Sequence, residues 1–369
     1  MWRSTIQTWS LKAVFDRCCF HCWISCFFVV WLSGLPHVQA GAVLTVLAVA
    51  AAGFSMVEET EVDVTKILRS AVLSLMVFAP GLLAQQAENA SFKTWQVNDS
   101  IYMLEPLNTN GNVGVFTGAD GILLVDSHFP NTTADLVTAV RQFSDEEFRF
   151  LVNTHIHPDH IGGNSNLAGF GITIIAHDLV REQFFDRVRI PRRGGTFFPQ
   201  PAEDARPMLT YSEALSFHMN GEEVRVFLSP PAHTGGDSFV HFRGSDVLHL
   251  GDVFRTNMYP IIDHYNGGSF LGMIDAMALA ISIAGPDTVV IPGHGVGLSD
   301  RAGMIEVRDT LIDMRDRVQR MIDQGMELDA VMAAEPMRDL DPRWGQVAGW
   351  TAVDLVPIIY QELAAQGAR

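Results

Sequence analysis

The run His155-Ile-His157-Pro-Asp159-His160 puts three imidazoles and a carboxylate within six residues. Each of these groups offers a lone pair to a divalent cation, and a cation held this way polarises oxygen and turns water into a nucleophile at neutral pH. Burying four such groups with nothing to bind would cost heavily in lost solvation, so the cluster reads as a ligand set. Three further candidates each follow a strand-like run: His233 after Leu228-Ser-Pro-Pro-Ala232, Asp252 after Val247-Leu-His-Leu-Gly251, and His294 after Val289-Val-Ile-Pro-Gly293. His264 is a fourth, placed in a loop. His177, His218, His241 and His249 stand alone and read as satisfied core histidines.

The elements that must carry these groups are short. Phe148 to Asn153 is apolar and aromatic, which predicts a buried strand ending just before the cluster. Pro158 and the Gly162-Gly163 pair predict a tight loop through the cluster rather than a helix. Strands are also predicted at Val113 to Phe116, Gly121 to Asp126, Ile172 to Ala176, Val224 to Leu228, Ser238 to Phe242 and Thr288 to Pro292. Helical patterns cover Thr132 to Phe143, Leu179 to Phe185, Phe270 to Ala284, Met304 to Gln324 and Val347 to Ala365, with a break or kink expected at Pro357. Strands and helices interleave from about Gln85 onward, the pattern of a single α/β catalytic domain. Residues 186 to 210, with Gly194-Gly195 and four prolines, form the one long irregular stretch, as binding loops and lids often do.

The N-terminal 84 residues differ in character. Lys66 to Arg69 supplies a basic flank, Ala71 to Ala84 an apolar run short for a bilayer span, and small residues close it; this is the pattern of a secretory signal peptide. Export to the periplasm or medium is therefore expected, with the mature chain starting between Ala84 and Glu88. Residues 1 to 55 read either as an over-extended gene start or as a membrane-anchoring extension. All four cysteines (Cys18, Cys19, Cys22 and Cys26) lie there. Cleavage would leave a mature chain with no thiolate to serve as ligand or nucleophile.

The chain has 369 residues and a formal net charge of −17. Residues 1 to 84 hold five basic and five acidic side chains, so the whole excess belongs to residues 85 to 369. Such a surface repels phosphate backbones and anionic membranes, which excludes nucleic acid as an expected partner and leaves a small molecule. The local cluster Arg187, Arg189, Arg192 and Arg193 reads as a solvated loop.

Taken in order, H-x-H-x-D-H, then a lone His followed by T-G-G-D, then G-D, then P-G-H-G resembles the metallo-β-lactamase superfamily from about residue 95 to 300. The resemblance implies an αββα sandwich with a two-metal site on its rim. It implies His155, His157 and His233 on a first zinc, and Asp159, His160 and His294 on a second. It also implies Asp252 as the carboxylate bridging both, as in the hydroxyacylglutathione-hydrolase and lactonase branches, and Asp126 as the orienter of a ligand histidine. The chain departs from the commonest lactamases in having no cysteine for the second site. The implied chemistry is attack by a metal-bridging hydroxide on a β-lactam, lactone, ester or thioester carbonyl, with Asp159 orienting the hydroxide. Tyr259 and His264, on the loop after Asp252, are candidates to hold the oxyanion. Imidazole and carboxylate also suit iron or manganese, so an iron-containing redox or relay protein is the alternative reading.

Overall fold

The computed structural model describes residues 91–107, 110–191, 195–346 and 349–367. The segment expected to direct export, the cysteines, Arg192 and Arg193 lie outside the described residues. The first sheet is built from β1 (Phe92–Gln96), β2 (Ile101–Pro106), β3 (Val113–Phe116), β4 (Ile122–Val125), β5 (Phe148–Val152) and β6 (Thr173–His177). A hairpin of β7 (Val188–Ile190) and β8 (Thr196–Phe198) follows, and β9 (Leu209–Tyr211) then completes the first sheet beside β6. Its strands run antiparallel from β1 to β4 and parallel from β4 through β5 and β6 to β9. The second sheet has the order β10 (Ala214–Met219), β11 (Glu222–Leu228), β12 (Ser238–Phe242), β13 (Val247–His249), β14 (Val289–Ile291) and β15 (Ser299–Asp300). Only β13 and β14 are parallel there.

Strand alternation sorts the side chains into layers. On β4, Ile122 and Leu124 pack outward on Leu136 and Val140 of the Thr133–Val140 helix, whereas Leu123 and Val125 face the second sheet. Val226, Val240, Phe242 and Ile291 meet them from the other side. Beyond the second sheet, Phe239, Leu248 and Val290 pack on Met273 and Met277 of the Phe270–Ile283 helix and Leu311 and Met314 of the Arg301–Asp323 helix. The result is the expected four-layer αββα sandwich. Each fully buried aliphatic or aromatic side chain contributes about 1.5–3 kcal/mol. Ser269 and Asp300 cap the two helices by accepting from the amides of Gly272 and Gly303.

Four sequence expectations need correction. Residues Pro158–Ile161 form one helical turn, because proline at the first helical position loses no needed donor and has the right φ already. The Ala352–Gly367 helix runs unbroken through Pro357, with Leu355, Val356, Ile358 and Ile359 buried in the outer layer. The stretch 186 to 210 holds the β7–β8 hairpin instead of remaining irregular. Of the histidines expected to be satisfied in the core, His218 is exposed, His241 is half-buried, and His249 is buried with its Nε2 lacking a protein partner among the described residues. Among the described residues no helix is long and apolar enough to cross a membrane.

Candidate metal centre

The parallel strands aim their carboxyl ends at one rim, where ligand sites of α/β sheets commonly lie. The loop and helical turn after β5 carry His155, His157, Asp159 and His160; the β11–β12 loop carries His233; the turns after β13 and β14 carry Asp252 and His294. One ligand atom from each of His155, His157, His233 and Asp252 lies within 4.8 Å of the others, and Asp159, His160 and His294 form a second such group. Asp252 touches both groups. Its Oδ1 is 3.2 Å from His160 Nε2, and its Oδ2 is 3.2 Å from His294 Nε2 and 3.6 Å from His233 Nε2. Asp159 Oδ2 lies 3.2 Å from His294 Nε2.

Several of these spacings suit a cation better than they suit one another. His233 Nε2 lies 3.0 Å from His157 Nδ1, and His160 Nε2 lies 3.3 Å from His294 Nε2. Two nitrogens so close share at most one hydrogen, whereas zinc–nitrogen bonds near 2.0 Å in a tetrahedron place ligands about 3.3 Å apart. His155 Nε2 is buried without a protein hydrogen-bond partner among the described residues. The donor set, all imidazole and carboxylate, fits a pair of divalent cations.

A second layer of bonds fixes which nitrogen each histidine presents. Asp126, fully buried, accepts from the Thr154 amide and hydroxyl, both at 2.8 Å, and its Oδ2 is 2.7 Å from His160 Nδ1. Because the Thr154 hydroxyl donates to Asp126, it accepts from His155 Nδ1 at 3.0 Å, leaving His155 Nε2 as a lone pair. The carbonyl of Ile261 accepts from His233 Nδ1 at 2.6 Å. Asp263 Oδ2 sits 2.7 Å from His157 Nε2, so His157 turns Nδ1 toward His233. Carboxylate and carbonyl partners of this kind set tautomer and orientation in metal sites.

Charge separates the two groups. Burial drives His155 well below its ordinary value, with the neighbouring histidines adding to the effect, and lowers His233 to about 3. Burial pushes His160 and His294 the same way, but Asp252 and the other nearby carboxylates win and raise both. Burial alone would push Asp159 and Asp252 up; the facing His160 and His294 hold both carboxyls well below the usual range. Two glycines are there for room. A Cβ on Gly111 would come within 2.7 Å of His160 Nε2, and one on Gly293 would run into Asp252 Oδ1.

Of the two proposed oxyanion donors, Tyr259 is turned away from the cluster. Tyr259 is 1% exposed in the outer helical core, and its hydroxyl donates to Asp341 Oδ1 at 2.8 Å. His264 is exposed, with its ring centre 4.0 Å from that of Tyr265. The residue beside it, Asp263, is the one that reaches the cluster, and the sequence offered no signal for it beyond a lone aspartate in a loop. Arg255 was also missed. It is 4% exposed, with Nε 3.8 Å from Asp252 Oδ2 and Nη1 donating to the Tyr259 carbonyl at 3.4 Å.

The sequence profile of the metallo-beta-lactamase superfamily matches residues 108–320, and the chain belongs to this superfamily. Solved structures agree on the fold. A metallo-beta-lactamase from Pontibacter korlensis aligns with a TM-score of 0.50 at 15% identity, covering 60% of this chain and 99% of the other. A stereoselective inverting sec-alkylsulfatase from Pseudomonas sp. aligns at 0.54 and 16% identity, covering 73% of this chain and 50% of that one. Membership and the two donor groups together support a metal-dependent hydrolase acting on a small molecule.

Proposed function

We propose that the chain is a zinc-dependent hydrolase that cleaves a carbonyl-derived bond, in a β-lactam, lactone, ester or thioester, with both donor groups loaded. The observation that carries this reading is Asp252, whose two oxygens lie between the groups within 3.6 Å of three different histidines. His155, His157 and His233 would hold one ion and Asp159, His160 and His294 the other, with Asp252 shared. Such a pair supplies water activated at neutral pH and positive charge for the developing oxyanion. The chain's own part is to fix the donors. Asp126 orients His160 directly and His155 through Thr154, and Asp263 orients His157. Asp159, the one donor whose side chain is part-exposed at 16%, is placed to meet substrate and to orient the attacking water. With Tyr259 turned into the core, this scheme relies on no tyrosine.

Metal analysis of the purified protein, with a panel of β-lactams, lactones, esters, thioesters and a secondary alkyl sulfate, tests the proposal. Two zinc per chain and metal-dependent turnover of a carbonyl substrate are expected, with the turnover abolished and the zinc content lowered in Asp159→Ala. Turnover of the sulfate ester alone would replace the carbonyl assignment, and two iron ions without hydrolysis would replace the enzyme class. Export rests on the Lys66 to Ala84 pattern, and N-terminal sequencing of the secreted product should begin between Ala84 and Glu88.

A further inference from the structure

Two fully buried histidines stand outside the seven donors, His249 at the end of β13 and His128 on the turn after β4. His128 lies two residues after Asp126 on the turn that ends β4, and both adopt left-handed backbone, with φ of 55° and 68°. Such conformations cost on the order of 1–3 kcal/mol for most side chains and persist where the surroundings enforce them. The turn is tied to the helical turn bearing Asp159 and His160. Asp126 Oδ2 meets His160 Nδ1, the Ser127 amide donates to the His160 carbonyl at 2.8 Å, and the His128 carbonyl accepts from the Gly163 amide at 2.8 Å.

The tautomer of His128 follows from its neighbour. Its Nδ1 is 2.7 Å from the Thr132 hydroxyl, whose single proton goes to the Phe129 carbonyl at 2.9 Å. Nδ1 must therefore carry the hydrogen, and Nε2 presents a lone pair. The ring is held edge-on to Phe92 and Phe129, and burial lowers His128 to about 4, so it is neutral near pH 7. Nε2 is buried with no protein partner among the described residues. Among the charges bearing on the ring are those of Asp159, His160 and His294, the three members of the second donor group. A buried acceptor left unmatched costs about 1–3 kcal/mol, and a buried water is the usual remedy in a polar recess.

We propose that His128 is a positioning residue of the second group, its Nε2 anchoring a buried water that hydrogen-bonds into the Asp159, His160 and His294 cluster. The inference rests on the two-metal reading above. It predicts that His128 supports uptake of the second ion and leaves the first alone.

Zinc titration of chelated full-length protein against a chromophoric competitor tests this without substrate. His128→Asn suits the left-handed backbone but falls short of the Nε2 position; His128→Gln restores an acceptor near it. The Asn variant should bind the second equivalent roughly tenfold more weakly with the first unchanged, and the Gln variant should recover most of the loss. If the Asn variant does not fold, His128→Phe removes the acceptor while filling the slot between Phe92 and Phe129. Wild-type affinity in the acceptor-free variant, or equal weakening of both equivalents, overturns the proposal. So does a cobalt spectrum showing one nitrogen donor fewer on the second ion in that variant, since His128 would then be a direct ligand. Fewer than two equivalents in the wild type would instead remove the two-metal reading itself.

Discussion

The two donor groups use the same residue types and prepare them in opposite ways. His155 and His233 of the first are deeply buried and pushed toward the neutral form, with a hydroxyl and a carbonyl behind them. His160 and His294 of the second face Asp159 and Asp252 and are pushed toward the charged form. His155 and His233 are thus biased toward the neutral form that binds a cation, whereas His160 and His294 are biased toward keeping a proton. Desolvation dominates where other imidazoles crowd a histidine and one carboxylate faces it, and Coulomb attraction dominates where several carboxylates do.

Removing the shared carboxylate should break this comparison most severely. Asp252→Asn takes an anion from the second group's two close contacts at 3.2 Å and from the first group's single contact at 3.6 Å. The variant should retain about one zinc, read by metal analysis after dialysis; two tightly held ions would show that Asp252 only closes a strand end. A smaller effect, about 10–100-fold in affinity, should follow from changing the carboxylates behind the ligands. Asp263→Asn should weaken the first equivalent only. Asp126→Asn should weaken both, because it holds His160 directly and His155 through Thr154. Equal profiles for the two variants in zinc titrations would erase the distinction between the groups.

Protons give a finer test. His160 and His294 are raised above 6.5 without metal, whereas His155 and His233 are lowered, so an ion entering the second group competes with bound protons more than one entering the first. Affinity for the second equivalent should therefore rise up to about tenfold per pH unit for each proton displaced, until pH exceeds those raised values. The first equivalent should show the shallower slope. Parallel slopes in titrations between pH 6 and 8 would contradict the assignment. The smallest expected effect lies outside both groups. Tyr259→Phe removes a hydroxyl bonded to Asp341, so thermal unfolding should register a loss of about 1 kcal/mol while turnover stays at the wild-type level.

The sequence made the donors legible because they are dense or sit at strand ends. His155 to His160 is too rich in ligands to be a packing accident, and Asp252 and His294 follow apolar runs in a turn. Asp263 escaped because a positioning carboxylate needs only the right place in space, and 106 residues separate it from the His157 it holds. Tyr259 misled for the converse reason. It lies close to Asp252 in the chain, but its ring follows the apolar outer core, where burying aromatic area outweighs proximity in sequence. Strand β10 shows a signal that could have been used. Asn220 and Gly221, at φ of 51° and 86°, are the two-residue turn that joins it to β11. Strand β1 had no such mark: its exposed Lys93 and Thr94 leave little apolar pattern.

Each donor group draws on both halves of the sandwich. His155 and His157 come from the first sheet and His233 and Asp252 from the second, while Asp159 and His160 come from the first and His294 from the second. An ion in either group would therefore act as a staple across the two sheets, and its binding energy would resist their sliding past one another. Native-state opening along that seam would have to release the ion first, so amide exchange on β5 and on β12 to β14 becomes a gauge of occupancy. The same linkage runs in reverse: a repacking between the sheets, far from any ligand, changes how tightly the rim holds its cations.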